Sequence, residues 1–349
     1  MKISDLSERY LSYMIEQSFL IPLSALIDFS LGVKSRLLGF FVAYNISFIN
    51  GLNPIFTTRT GLLNLLTLFL VSYLYYSFET LTNFGVGSNI FKLQFVPKYE
   101  FTRNRFTSIL LVRNLIKSFF ISNMINSLFL FKNTKLLQSL FDKKYNLVSA
   151  KKESNKTRNE YKGLLIQYVA GSLVLFYSMF LIYMVIYTYI TPLPSLTSTG
   201  HSSNVQPSDV LKMFETIFSN NLSLDLNEYM VGGLSVFFGT FISIFTSNLN
   251  ETQILSSLNI ANGPGSFVKY VLPQFFPETL GYVFGIAFAM VLADILISFV
   301  QSLIRNQGSE LFFSRTKNLL YISGYYFLFS IVLLCIGALI ESHIGVLNI

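Results

Sequence analysis

Hydrophobic residues in this chain come in runs about as long as a membrane crossing, with polar residues gathered between them. A span needs about 20 mainly apolar residues. Residues 61–82 (GLLNLLTLFLVSYLYYSFETLT) and 164–190 (LLIQYVAGSLVLFYSMFLIYMVIYTYI) fit that length with few interruptions. Residues 228–248, 277–300 and 318–342 predict further spans. Residues 11–31 are long enough but carry Glu16, Pro22 and Asp28, and residues 37–56 carry three asparagines. Each of these two either spans or lies in the interface. Residues 252–272 predict a weaker span or a re-entrant segment, broken at Asn262, Gly263, Pro264 and Gly265. The whole pattern predicts an all-α, polytopic transmembrane helical bundle of about 7–8 spans, with a broken or re-entrant segment near 252–278.

Charge orders these runs across a membrane. Residues 92–162 hold 15 Lys and Arg against 4 Asp and Glu, the bias of a cytoplasmic segment. Within it, residues 101–131 are apolar but carry Arg103, Arg105, Arg113 and Lys117. They predict an amphipathic helix along the membrane surface, with a span over 114–131 as the alternative. Residues 142–162 read as an exposed linker or a helical hairpin. The basic run is either a positive-inside flank or a surface for anionic lipid or a partner. Residues 191–227 are rich in Pro, Ser, Thr and Asn, with Asp209, Glu215 and Asp225 against Lys212, and so predict an outside loop. Residues 301–317 carry Arg305, Arg315 and Lys317 against Glu310 and predict an inside loop. With three early spans both ends of the chain fall outside; with two, the N-terminal end is inside. Three regions result: membrane helices over 1–91, a basic cytoplasmic segment over 92–162, and a membrane domain over 163–349.

Composition agrees. Of 349 residues 52% are hydrophobic and 12% charged, against about 25% charged in soluble domains. The net charge of +7 is concentrated mid-chain, which suits a cytoplasmic membrane face and predicts no nucleic-acid partner. Met1 to Tyr10 is mixed in charge and shows no signal-peptide pattern. The single cysteine, Cys335, excludes a disulfide within the chain.

Catalytic chemistry has little to stand on. There is no Walker A motif, no G-x-G-x-x-G after a strand and no H-E-x-x-H. His201, alone in its loop, and His343 do not make a plausible metal site with Cys335, so no metal or cofactor is expected. Ser266 lies three residues from Lys269 in a broken segment, a weak pairing for a nucleophile and base. Asp28 and Asp294 are the aspartates inside predicted spans, and neither has the context of an aspartyl protease. The expectation is a protein that is not an enzyme.

The stretch from Asn262 to Asp294 carries the densest set of unusual residues. Glu278 follows Pro277, which predicts an acid at the start of a helix facing the positive end of its dipole. The sharper reading makes it a partner-contact or solute-path residue, with Asn220, Asn221, Asn262, Gly263 and Gln274 as further candidates. Asn220 and Asn221 would cap or turn into the next span, and Asn221-Leu-Ser223 also fits a glycosylation acceptor. Gly281, Gly285, Ala289 and Ala293 recur every four residues and predict a smooth helix-packing stripe. Gly232 and Gly239, seven apart, predict a shared helix face. Glu16, Glu79 and Glu341 receive no specific role.

The second half has an ordered set of pieces. They are Phe218-Ser-Asn220-Asn221; Gly232, Gly233 and Gly239; Asn262-Gly263; Leu272-Pro-Gln-Phe-Phe-Pro-Glu278; Gly281 with Gly285; and Ala338-Leu-Ile-Glu341. In order and spacing, residues 163–345 resemble the stage II sporulation protein M (SpoIIM-like) family of integral membrane proteins. Gln274 and Phe275 stand where that family carries histidine and glycine, and residues 1–160 lie outside the resemblance. The resemblance implies a non-catalytic membrane subunit. The sporulation member is similar to a scaffold holding a peptidoglycan-remodelling complex at a septal membrane, and other relatives look like membrane partners in transport-type assemblies.

Two functions follow as expectations. One is a multi-pass scaffold or assembly subunit in the cell membrane, with the lipid bilayer, other membrane or envelope proteins, or a second copy in a homo-oligomer as partners. The other is a permease-like transport subunit working with a separate ATPase. The first predicts well-packed spans; the second predicts a polar cavity lined by Glu278, Asn262 and Gln274.

Overall fold

The computed structural model describes residues 6–36, 55, 57–82, 84–97, 103–119, 147–151, 160–190, 207–235, 238–305 and 309–347. Helix dominates. Among the described residues, five helices are long and apolar enough to cross a membrane: Ser7–Ser30, Arg59–Thr82, Leu165–Ile190, Leu272–Val300 and Thr316–His343. The predicted span over 37–56 falls almost wholly outside the described residues, as do residues 191–206, which include His201.

The chain divides into two compact units, one of residues 1–182 with 294–315, the other of 183–293 with 316–349. The first contains α1 (Leu6–Ser30), α2 (Arg59–Thr82), the short α3 (Val86–Ile90), β1 (Leu93–Pro97), α4 (Arg103–Ser118) and β2 (Leu147–Lys151). It also takes most of α5 (Glu160–Val185) and the end of α8 (Leu272–Arg305). Helix α1 is the hub of this unit: 72% of its apolar window is buried, against 28% for α2. That burial explains the polar residues that made 11–31 an uncertain span. They face protein, where partners can satisfy them. Gln17 Nε2 donates to the Tyr76 hydroxyl at 3.0 Å, and Asn64 Nδ2 donates to Asp28 Oδ2 at 2.8 Å. Residue number falls along α2 as it rises along α1, so the two helices are antiparallel.

Helix α3 approaches α1 closely. A Cβ on Gly87 would stand 2.3 Å from the Ser12 carbonyl oxygen, so only glycine fits there. Strands β1 and β2 form an antiparallel ribbon, pairing Leu93 with Lys151 through to Pro97 with Leu147. Within 142–162, read as a linker or helical hairpin, residues Leu147–Lys151 are a strand, and 142–146 and 152–159 lie outside the described residues. Leu147, Val148 and Ser149 (LVS) carry β-branched and apolar character that the flanking lysines obscure.

The second unit holds the π-helical turn Ile186–Ile190 after α5, then α6 (Pro207–Leu234), α7 (Phe238–Ser266), a second π-helical turn (Phe267–Val271), most of α8, and α9 (Ser309–Leu347). Helices α8 and α9 are antiparallel. The Phe284 ring lies 6.1 Å from that of Tyr326 and 5.5 Å from that of Phe329, and the Phe288 ring lies 5.5 Å from that of Phe327.

Several expectations change here. Residues 207–227, read as outside loop, are helical and belong to α6. The predicted span 228–248 is divided between the end of α6 and the start of α7, so Gly232 and Gly239 sit on different helices and share no face. The turn between them is marked by Ser235, whose hydroxyl accepts from the Gly239 N–H at 2.7 Å and supplies a partner for the exposed start of α7. Asn262 and Gly263 do not interrupt the helix: α7 continues to Ser266 and runs directly into the π-helical turn and then α8. The irregularity the glycines and prolines suggested is therefore a local widening of the helix, five residues further on. Pro277 lies inside α8 rather than at its first position.

Candidate functional site

The predicted site residue with the most specific surroundings is Glu278. Helix α8 begins at Leu272, so Glu278 lies beyond its first turn and the helix-start reading does not hold. Its placement follows from a glycine on α9. A Cβ on Gly337 would stand 2.3 Å from Glu278 Cγ, so the stem of the glutamate occupies the space a larger residue would fill. Glu341 is one helical turn after Gly337, on the same face of α9. Its carboxyl group interacts with that of Glu278. From α6, Asn221 Nδ2 donates to Glu278 Oε1 at 2.9 Å. Glu251 on α7 adds a further negative charge to the field at Glu278. All four long helices of this unit thus contribute a polar group. The site accepts from an N–H donor. No group of three or more His, Cys, Asp or Glu that could hold a metal is present among the described residues.

The other predicted residues fall less close. Asn220 is exposed on α6, and both asparagines are mid-helix rather than capping it. Gln274 is half-buried, one turn before Glu278. Asn262 and Gly263 are in the last turns of α7, and their side chains lie outside the described residues. Gly281, Gly285, Ala289 and Ala293 are all buried. A Cβ on Gly281 would stand 3.0 Å from Leu334 and 3.3 Å from the Ser330 carbonyl oxygen of α9. Ser330 in turn donates to Asp225 Oδ2 at 2.8 Å, tying α6 to the middle of α9. Asp225, counted from sequence as an outside-loop charge, is buried.

Sequence reasoning missed a second cluster, in the first unit. Lys117 of α4 reaches Glu16 of α1 at 3.1 Å and Glu79 of α2 at 3.3 Å. Its ammonium also sits 3.7 Å from the centre of the Tyr76 ring. Three steps earlier, Asn114 Nδ2 donates to the Tyr76 carbonyl at 2.8 Å and to Thr80 Oγ1 at 2.7 Å. Glu16 is buried, with 1% of its side chain exposed, so its charge depends on Lys117. The signal available in sequence was the coincidence of acids inside two apolar runs with a lysine inside a third. Elsewhere in the same unit Tyr168 of α5 donates to Asp294 of α8, which Ser298 also contacts at 3.1 Å.

Compared with protein-family models, with curated proteins and with solved structures, the chain matches none of them.

Proposed function

We propose that this chain is a non-catalytic, multi-pass scaffold or assembly subunit of the cell membrane. One observation carries the reading. Glu16, Asp28, Glu79, Asp225, Glu278 and Asp294 are each bonded to a side chain on a different helix. Acidic groups in a membrane are expensive and are commonly spent on a solute path. Here they are spent on holding helices together, which is what a rigid platform needs. The resemblance of 163–345 to SpoIIM-like proteins supports the same conclusion by analogy.

The topology that goes with it places the basic segment 92–162 in the cytoplasm. The antiparallel packing of α1 on α2 then puts the Leu6 end of α1 on the cytoplasmic side. The basic bias of residues 301–317 separately assigns the start of α8 and the end of α9 to the outer side. A second reading, a permease-like subunit driven by a separate ATPase, draws on the Glu278–Glu341 pair and the π-helical turn that leads towards it, a type of irregularity often found at functional sites. Affinity purification in mild detergent with mass spectrometry of bound proteins separates the two. The scaffold reading expects membrane or envelope proteins without an ATPase; stoichiometric recovery of an ATPase would replace it with the transport reading.

A further inference from the structure

We infer that α4 is inserted into the bilayer, with Val112, Leu115 and Phe119 against acyl chains and Lys117 locking it to Glu16 and Glu79. The proposal rests on the membrane reading of the chain but not on the scaffold reading. It departs from the surface helix that the sequence of 101–131 suggests.

The first observation is direction. Asn114 contacts Tyr76 and Thr80, whereas Phe119, further along α4, has its ring 4.5 Å from that of Phe69, earlier in α2. Helix α4 therefore runs antiparallel alongside α2 rather than across its end. Phe69 is 13 residues from Thr82, the end of α2. At 1.5 Å per residue this is roughly 20 Å, enough to pass the midplane of a hydrocarbon core about 30 Å thick. A helix that reaches Phe69 from the Thr82 end cannot lie on the surface if α2 spans.

The second observation is the distribution of polarity. Asn114 and Ser118 face inward and are buried, and Lys117 reaches inward to the two carboxylates. Val112 is 48%, Leu115 40% and Phe119 55% exposed. Spaced three and four apart, they form one outward face. Polar residues inward and apolar residues outward is the inverse of a helix in water, and it suits a helix in lipid. On the neighbouring α2, Leu62, Leu66, Leu70, Leu74 and Phe78 are likewise exposed, a second apolar row suited to lipid.

The third observation is the lysine. Lys117 would be costly at that depth if unpaired. Its long stem lets the ammonium reach back towards Glu79, three residues from the end of α2. There it meets two carboxylates and the Tyr76 ring face. The ion cluster is therefore the lock that makes insertion of α4 tolerable.

Spin labels test this. In a Cys335→Ala background of the full chain, cysteine is placed at Arg105, Val112, Leu115 or Phe119, and the labelled protein is reconstituted into phosphatidylcholine–phosphatidylglycerol vesicles. Collision with oxygen reports lipid, and collision with a water-soluble nickel chelate reports water. The expected result is nickel access at 105 and a steady gain of oxygen over nickel from 112 to 119. Nickel access at 115 and 119 would overturn the proposal, and so would exclusion of both reagents, which would mean that protein covers the face. In Glu16→Gln/Glu79→Gln protein the oxygen preference at 115 should be lost; its retention would show that the cluster is not the lock. Carbonate extraction of the unmodified chain from membranes is the control: release would refute the membrane reading itself, whereas retention with water at 119 would refute only the insertion of α4.

Discussion

At the scale of single residues, two glycines define how close α8 and α9 come. Gly281 faces Leu334 and the Ser330 carbonyl with no room for a methyl group at ordinary contact distance. Overpacking of a tight contact costs about 1–3 kcal/mol, so Gly281→Ala should lower the thermal stability of the detergent-solubilised protein and Gly281→Leu should lower it further. An unchanged melting curve for both would show that the helices separate freely. At Gly337 the obstacle is Glu278 Cγ, close to the backbone of α8 rather than at a free side-chain end. Glu278→Gln keeps an oxygen that can accept from Asn221, and Glu278→Ala does not. Interhelical hydrogen bonds in membranes are worth about 0.6 kcal/mol on average and at most about 1.7. Glu278→Gln should therefore fold with near-normal stability and Glu278→Ala should lose a modest amount. Equal stability of all three would remove the hydrogen bond from the list of what holds α6 to α8.

At the scale of elements, α4 is a helix whose place is set by a handful of polar contacts. Replacing Lys117 by methionine would leave Glu16 and Glu79 facing one another without their cation. Breaking one side of a buried ion pair typically costs about 3–5 kcal/mol, while replacing all partners together costs far less. The triple change Lys117→Met, Glu16→Gln and Glu79→Gln should accordingly be more stable than Lys117→Met alone, measured by thermal unfolding in one detergent. If the triple variant is the weaker, the three groups act independently and the ion cluster is not a unit. The same contacts explain what could be read from sequence. Long apolar runs such as 61–82 and 164–190 were legible because their length alone matches a bilayer. The stripe from Gly281 to Ala293 was legible because small residues every four steps have few other uses. The break between α6 and α7 was not, since Ser235 lies inside an apolar run and the polar residues before it, Asn221 and Asp225, look like loop until their partners on α8 and α9 are known. Lys117, Glu16 and Glu79 were each visible as anomalies, but their cancellation depends on packing between residues as much as 101 positions apart in the chain.

At the scale of the whole molecule, the proposed topology follows from charge and from the geometry of the second unit taken together, and the two can be set against each other. Lys212 lies nine residues before Asn221, which bonds Glu278 near the start of α8. At 1.5 Å per residue it stands roughly 13 Å beyond that contact, which the proposed topology puts outside the bilayer. Lys317 lies 13 residues before Ser330, the partner of Asp225, and so roughly 20 Å from that point towards the other face. Both lysines are exposed. Cysteine placed singly at each position, in a Cys335→Ala background, should react with a membrane-impermeant maleimide from opposite sides: position 212 in intact cells, position 317 only after the membrane is opened. Asn221 fixes one level of α6 against the start of α8, and Asp225, four residues on, fixes a deeper one against the middle of α9. Labelling of both positions from one side would therefore separate α6 from the antiparallel pair, and with it the proposal that these carboxylates bind the spans into a single platform.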